Sequence, residues 1–366
     1  MKILIIEPFF TGSHKKWALE YQKFSRHEIS ILSLPGRFWK WRMHGGAITL
    51  SKEYNKIKNK PDLILTTDML NLPVFQSLVK KTCPIAIYFH ENQFTYPWSK
   101  TDLDSILQRD KNYAFINYSS VLCADHIFFN STFHLNSFIN GLDQYLNELP
   151  DFNEFQNITQ IKNKSSVLFL GLNLNKFDQY YILKKNNRPP IILWNHRWEY
   201  DKNPESFFKI LTNLSKKGVA FKLVILGQQF RTVHPSFIAA KSKLDKHIIH
   251  FGYTKSFKNY SQWLWAADLL PITSFQDFFG ISIVEATYCK TLPLVPRRLS
   301  YPELFQEKKH PNIFYDSDEE LEIKLGKFIK HNSKELYNKY NFNMKKYDWL
   351  NMVSIYDNKM EEIKSL

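Results

Sequence analysis

With 366 residues, 44% of them hydrophobic and 16% aromatic, the chain is too long for one ordinary core and carries apolar material for two domains of roughly 150–200 residues each. No window approaches the roughly 20 apolar residues of a membrane-spanning helix, the opening MKILIIEPFF lacks a secretory cleavage pattern, and the odd, scattered cysteines Cys83, Cys123 and Cys289 fit neither a disulfide framework nor a zinc site, so a cytoplasmic protein without stable membrane insertion is expected. The net charge of +14 points to phosphate-rich partners, but 40 of the 49 basic residues are lysine, as an AT-rich genome would write on any surface, and the scarcer Arg37, Arg42, Arg109, Arg197, Arg297 and Arg298 are more informative.

In chain order, short apolar runs alternate with amphipathic stretches, the pattern of α/β folds with parallel strands. Strands are expected at Lys2–Glu7, Ile29–Leu34, Leu63–Thr67, Ile85–Phe89 and Asp125–Asn130, with helices over His14–Phe24, Ala47–Lys58 and Asp110–Val121. After Gly171 the alternation restarts, with strands at Ile191–Trp194, Lys222–Leu226, Ile248–Phe251, Leu269–Ile272 and Leu292–Val295 and helices over Pro204–Lys216 and Ile281–Tyr288. The polar stretch Asn153–Lys164 suits a linker. The expected division is residues 1–160, joined by a C-terminal helix at about 336–366, and residues 165–335. Two doubly wound sheets facing a cleft would place ligands beyond the strand ends, where strand C-termini and helix N-termini converge.

The second half carries the richest chemistry. In TSFQDFFGISIVE a strand ends, a loop carries Asp277, and Gly280 opens a helix that presents Glu285. A glycine at a helix start lets an anion approach free N–H groups, and carboxylates on either side can bind the hydroxyls flanking that anion. Upstream, WNHRWEYDKNP places Arg197 and Lys202 at the end of another strand, suiting a diphosphate leaving group. Alone, the first element reads better as a capped helix with a solvated acid, and the second as a pair of surface bases. Together, in one α/β half, they point to a nucleotide-sugar site.

In the first half, Gly12, Ser13 and His14 occupy a strand-to-helix turn, an ordinary helix start when taken alone. His90, Glu91 and Asn92 follow the strand Ile85–Phe89, and Asp68 ends its neighbour. In LPGRFWKWRMHGGA, Arg37, Lys40 and Arg42 interleave with Phe38, Trp39 and Trp41. Cations beside aromatic faces suit single-stranded RNA; the same tryptophans would equally fill a core.

The run from Arg197 and Lys202 to Asp277–Glu285 resembles the retaining glycosyltransferases of the GT-B fold and their E-x7-E motif, with aspartate as the first acid. That resemblance gives Asp277 the sugar hydroxyls and Glu285 the ribose. It sets the backbone of Phe279, Gly280 and Ile281 beside the phosphates, and His90 over the donor sugar. Over nearly the whole chain, EPFFTGSHKKW, LPGRFWKWRMHGGA, TTDML, YFHENQFTYPW, FINYSSVLCADHIFFNSTFH, WNHRWEYDKNPE and QDFFGISIVEATYC closely resemble the tRNA-queuosine mannosyltransferase family. The resemblance implies two Rossmann-like domains and transfer of mannose from GDP-mannose to queuosine in a tRNA anticodon loop, with retention and without a metal or other cofactor. His90, Asp277, Arg197 and Lys202 would be catalytic. Gly12, Ser13, Arg197, Lys202, Asp277, Phe279, Gly280, Ile281 and Glu285 would bind the donor. His14, Arg37, Lys40, Arg42, Asp68, Glu91 and Asn92 would face the acceptor. A transferase acting on a lipid or polysaccharide, a sugar-nucleotide epimerase and a non-catalytic RNA-binding protein are the alternatives.

Overall fold

The computed structural model describes residues 1–366 apart from 100–101, 108, 185–187, 229–232, 332 and 366. The apolar runs pair into two parallel sheets. In the first, β1 (Lys2–Phe10), β2 (Glu28–Pro35), β3 (Leu63–Thr67), β4 (Ile85–Phe89), β5 (His126–Phe129) and β6 (Ser165–Val167) lie in the order 2-1-3-4-5-6. In the second, β7 (Ile191–Asn195), β8 (Lys222–Leu226), β9 (Ile248–Phe251), β10 (Leu269–Pro271), β11 (Leu292–Pro296) and β12 (Phe314–Tyr315) lie in the order 12-11-10-7-8-9. Strands β3, β4, β7 and β11 are buried at every residue, as strands of a parallel sheet covered on both faces are. The strand order reverses between β1 and β3 and again between β7 and β10. Open α/β sheets bind ligands at such switch points, outside the carboxyl ends of the strands.

Two compact units result: Met1–Asn173 with Tyr347–Leu366, and Leu174–Lys346. The stretch expected as a linker is not one. Residues Gln156–Asn163 form a helix that buries Ile161 completely, and the strand that follows, β6, pairs with β5 in the first sheet. Polar composition misled here, because a helix needs only one apolar stripe and Ile158 and Ile161 supply it. The C-terminal helix begins at Trp349 rather than near 336, and Asp348 caps it by accepting the N–H of Leu350. It docks on the helix Gly12–Phe24. The buried Asp357 carboxylate accepts the hydroxyls of Tyr21 at 3.0 Å and Ser25 at 2.6 Å and the N–H of Arg26 at 3.0 Å.

Gly171 lies flush against this helix: an added Cβ would fall 2.5 Å from the Trp349 ring. Gly171→Ala should therefore destabilise the first unit by about 1–3 kcal/mol through overpacking, read as a lowered urea midpoint; an unchanged midpoint would show that the indole is free to give way.

Candidate active site

The second unit builds its site where β7 and β10 end. Asn195 closes β7, His196 and Arg197 follow, and a short 3-10 turn, Tyr200–Lys202, leads into the helix Pro204–Lys216. The loop after β10 is stitched to that turn: the Thr273 hydroxyl donates to the carbonyls of Lys202 and Asn203, both at 2.9 Å, and the Phe275 N–H donates to the Asp201 carbonyl at 2.8 Å. The stitching carries Asp277 to Lys202. The Lys202 ammonium, only 7% exposed, lies 3.0 Å from a carboxylate oxygen of Asp201, 3.0 Å from Asp277 Oδ1 and 2.5 Å from the Gln276 carbonyl. Asp277 Oδ2 accepts the Tyr301 hydroxyl at 2.6 Å. Burial works against charge on Lys202, yet Asp277 and Asp201 hold its pKa above the usual lysine value. Burial likewise opposes the Asp277 carboxylate, and Lys202 leads the groups that hold its pKa below the usual range.

Gly280, at φ +94°, opens the helix Ile281–Tyr288 from a left-handed conformation that glycine adopts without strain. The Phe279 carbonyl beside it is fixed by the Ser300 hydroxyl at 3.0 Å. Glu285 is buried and accepts the Tyr260 hydroxyl at 2.8 Å, while the Asn195 amide donates to Tyr260 at 3.1 Å and to the Ser282 carbonyl at 3.0 Å. The expected members Lys202, Asp277, Phe279, Gly280, Ile281 and Glu285 thus share one strand-end region. Arg197 stands outside this buried network, half-exposed and paired with Glu199 at 2.9 Å. His196 was passed over in the sequence although it adjoins Arg197. It is buried, lies 3.4 Å from the Ser282 hydroxyl, and burial lowers its pKa to about 4, so the ring is neutral. Tyr260 and Tyr301 carried no sequence signal at all.

The first unit gathers a second set of residues at its own switch point. Asp68, after β3, accepts the backbone N–H of His90 at 2.8 Å and keeps Oδ2 buried without a protein partner. Burial raises the Asp68 pKa to about 8, against the pull of the His14 charge. His14 lies against His90, ring centroids 4.2 Å apart and planes tilted by 37°, and its Nδ1 lies 2.9 Å from Oε2 of Glu7, a residue that the motifs do not single out. Burial and the neighbouring charge on His14 keep His90 neutral, and its Nε2 has no hydrogen-bond partner. One ligand-type atom from each of Glu7, His14 and His90 falls within 4.8 Å of the others. Both Glu7 oxygens, however, already accept hydrogen bonds, from Phe9 N–H and from His14.

The remaining expected contacts separate. Asn92 is fully buried and builds a turn, its Oδ1 accepting the N–H groups of Phe94 and Thr95, both at 3.1 Å, so it does not face an acceptor. Glu91 accepts the Gln93 amide at 3.1 Å. The segment around Trp39 is helical from Trp39 to Lys56, eight residues earlier than expected, because Gly45 and Gly46 are tolerated where the chain packs closely: a Cβ on Gly45 would strike the Trp41 ring. Lys40 is not an open phosphate contact. Its ammonium is held by Asp102 at 2.5 Å and Asp104 at 2.6 Å and lies over the Trp39 and Trp98 rings. Trp39 packs with Trp98, Tyr113 and Met43, whereas Phe38 and Trp41 are 77% and 62% exposed. Arg37 is exposed, and Arg42 donates to the Pro35 carbonyl at 3.1 Å.

Residues 176–347 match the model described as glycosyl transferases group 1, and together with two parallel six-stranded sheets this defines a glycosyltransferase of the GT-B class. Solved structures agree on the fold: a UDP-forming trehalose-phosphate synthase from Burkholderia xenovorans aligns over 99% of both chains with a TM-score of 0.70 at 11% identity, and a glycosyltransferase from Rickettsia africae over 99% and 98% with a TM-score of 0.67 at 18% identity. Residues 2–172 match the model for the N-terminal part of tRNA-queuosine alpha-mannosyltransferase. The Drosophila melanogaster tRNA-queuosine alpha-mannosyltransferase is 30% identical over 338 residues, covering 90% of this chain and 87% of the relative. The chain belongs to the tRNA-queuosine alpha-mannosyltransferase family. Among the described residues no helix is long and apolar enough to cross a membrane.

Proposed function

We propose that the chain transfers mannose from GDP-mannose to a cyclopentenediol hydroxyl of queuosine in a tRNA anticodon loop, in the cytoplasm, with retention at the anomeric carbon. The observation that carries the donor half of this reading is the buried Lys202 ammonium set with Asp277 at the strand ends that also hold Gly280 and Glu285. The acceptor follows the family.

The bond from the sugar carbon to the diphosphate oxygen breaks, the acceptor oxygen bonds that carbon on the same face, and the acceptor's proton passes to the departing phosphate. Lys202, Arg197 and the N–H groups around Gly280 and Ile281 meet the charge that builds on the leaving group, which is where such a reaction gains most from fixed positive charge. That is the reading in which no metal is needed at the phosphates. Glu285 holds the ribose. Asp277 turns to the sugar hydroxyls when the diphosphate takes over Lys202. In the first unit, the resemblance assigns His90 to the donor sugar, and Gly12 and Ser13 to donor binding.

The test is mass analysis of nucleosides from queuosine-containing tRNA after incubation with GDP-mannose, with UDP-glucose and UDP-galactose as controls and with and without EDTA. Mannosylated queuosine formed with GDP-mannose alone and undiminished by EDTA is the expected result. Loss of product in EDTA would return a metal to the phosphates. An unmodified nucleoside pool beside mannosylated lipid or polysaccharide would move the acceptor.

A further inference from the structure

Glu7 lies among substrate-facing residues without a role in the chemistry above. It is fully buried in β1, three residues before the strand ends, and each of its oxygens has a defined donor: Oε1 accepts Phe9 N–H at 2.8 Å, and Oε2 faces His14 Nδ1 at 2.9 Å. A carboxylate on one imidazole nitrogen fixes the ring's orientation and keeps a proton on that nitrogen, leaving the opposite nitrogen to serve a ligand. His14 keeps a tenth of its side chain exposed and lies 4.2 Å, centroid to centroid, from the neutral ring of His90, whose Nε2 is buried and unpartnered. It is the third residue of a 13-residue helix with no acid in its first turn and no side-chain cap from Thr11. Gly12, at φ +51°, has open space where a Cβ would be. An uncapped helix start with a cation beside it attracts anions.

We propose that Glu7 is a positioning residue that holds His14 as a charged N–H donor for a phosphate oxygen of the substrates. The inference rests on the reading that those substrates are a nucleotide sugar and an RNA; either diphosphate or RNA backbone can supply the oxygen. Burial alone would strip the proton from His14. The Glu7 charge and hydrogen bond reverse this, with Asp68 and Glu91 behind them, and the pKa stands at about 9. The groups facing His14 are Glu7 from β1, Asp68 from the end of β3, and Glu91 and the neutral His90 from the end of β4. The sign follows: with the pKa raised, the imidazolium and its stabilising pair are fully present below about 6.5 and fade as pH rises through about 9.

Glu7→Gln keeps an acceptor for Phe9 N–H and His14 while removing the charge. In the full chain, NMR titration of the His14 ring should show its midpoint fall by about 2 pH units. GDP and tRNA affinities, measured separately against pH, should begin to fall about 2 units earlier in Glu7→Gln than in the wild type. His14→Gln should bind weakly without that pH dependence. A shift confined to GDP assigns the phosphate to the nucleotide, and one confined to tRNA assigns it to RNA. If the wild type bound neither, the functional reading would fall, and the same comparison with inorganic pyrophosphate would still decide the role of Glu7. Coincident pH profiles in folded wild type and Glu7→Gln would overturn the proposal. So would stoichiometric binding of Zn²⁺ or Mn²⁺ that Glu7→Gln abolishes, which would make the cluster a metal site.

Discussion

Lys202→Ala is expected to end transfer, to weaken GDP binding by about 1.5–3 kcal/mol, and to destabilise the second unit by about 3–5 kcal/mol, the scale for breaking a buried ion pair by removing one partner. The stability loss arises because Asp201 and Asp277, 2% exposed and part-buried respectively, would face each other without the ammonium that lies 3.0 Å from both. Its pH dependence has a definite sign. In the wild type the Asp277 pKa is held below the usual range, so its contribution is present above that range and is lost on acidification. Without Lys202 burial prevails and the Asp277 pKa rises, so the variant should be penalised more at pH 8 than at pH 5. Lys202→Met with Asp277→Asn keeps the local net charge of the triad and should recover much of the melting temperature while leaving GDP binding weak and transfer absent. Melting curves and calorimetric titration separate the two effects. Wild-type stability and wild-type GDP affinity in Lys202→Ala would remove this lysine from the site.

The strands of both sheets were legible because parallel strands buried on both faces are short, continuous apolar runs. The ends of β3, β4, β8 and β9 coincide with the expected ones. The two strands overlooked, β6 and β12, have three and two residues and too little apolar sequence to announce themselves. Helices were harder. The helix Thr132–Asn147 opens on alternating polar and apolar residues, which look like a strand, and its start signal is the Ser131 side chain accepting the His134 N–H at 3.0 Å, a contact set by backbone geometry. The helix from Trp39 was obscured by paired glycines, which usually interrupt helices.

In the site, motif order carried Lys202, Asp277, Gly280 and Glu285, because chemistry at strand ends is local in sequence. What sequence order could not supply was pairing across distance. Tyr301 reaches Asp277 over 24 residues and Tyr260 reaches Glu285 over 25. Glu7 was hidden for another reason: an acid ending an apolar strand looks like the strand's boundary until the helix after it turns His14 back onto the carboxylate. Arg197 had the reverse fate. Its place in the sequence suggests half of a diphosphate fork with Lys202, but its guanidinium pairs with Glu199, so its service to a diphosphate requires that surface pair to open. An exposed pair of that kind costs at most about 1 kcal/mol to break.

The second large effect is expected from the segment Arg37–Arg42, and the structure narrows which residues should produce it. Lys40 is committed to Asp102 and Asp104 and Trp39 to Trp98 and Tyr113, so neither is available to RNA without dismantling the unit. Arg37, Phe38, Trp41 and Arg42 remain. Phe38 holds φ at +54°, a left-handed conformation unfavourable for an aromatic residue, and it is 77% exposed. A strained residue whose ring packs on little of its own fold points to a ligand. The Arg37→Ala, Arg42→Ala double variant should lower the slope of log affinity for tRNA against log salt by about two, one for each lost phosphate contact. Trp41→Ala should weaken binding by about 1–3 kcal/mol with little change in that slope, since a stacked base contributes no counterion release. Because Trp41 is 62% exposed, its removal should leave the melting temperature nearly unchanged, while Trp39→Ala should lower it and serves as the control for core damage. GDP affinity should hold in the arginine and Trp41 variants, since none of these residues is among those assigned to the donor. Unaltered tRNA affinity and slope in both would take RNA off this surface. If the same variants then lost affinity for anionic vesicles, an exposed tryptophan beside arginines would be a membrane contact, and the acceptor would have to be sought among lipids.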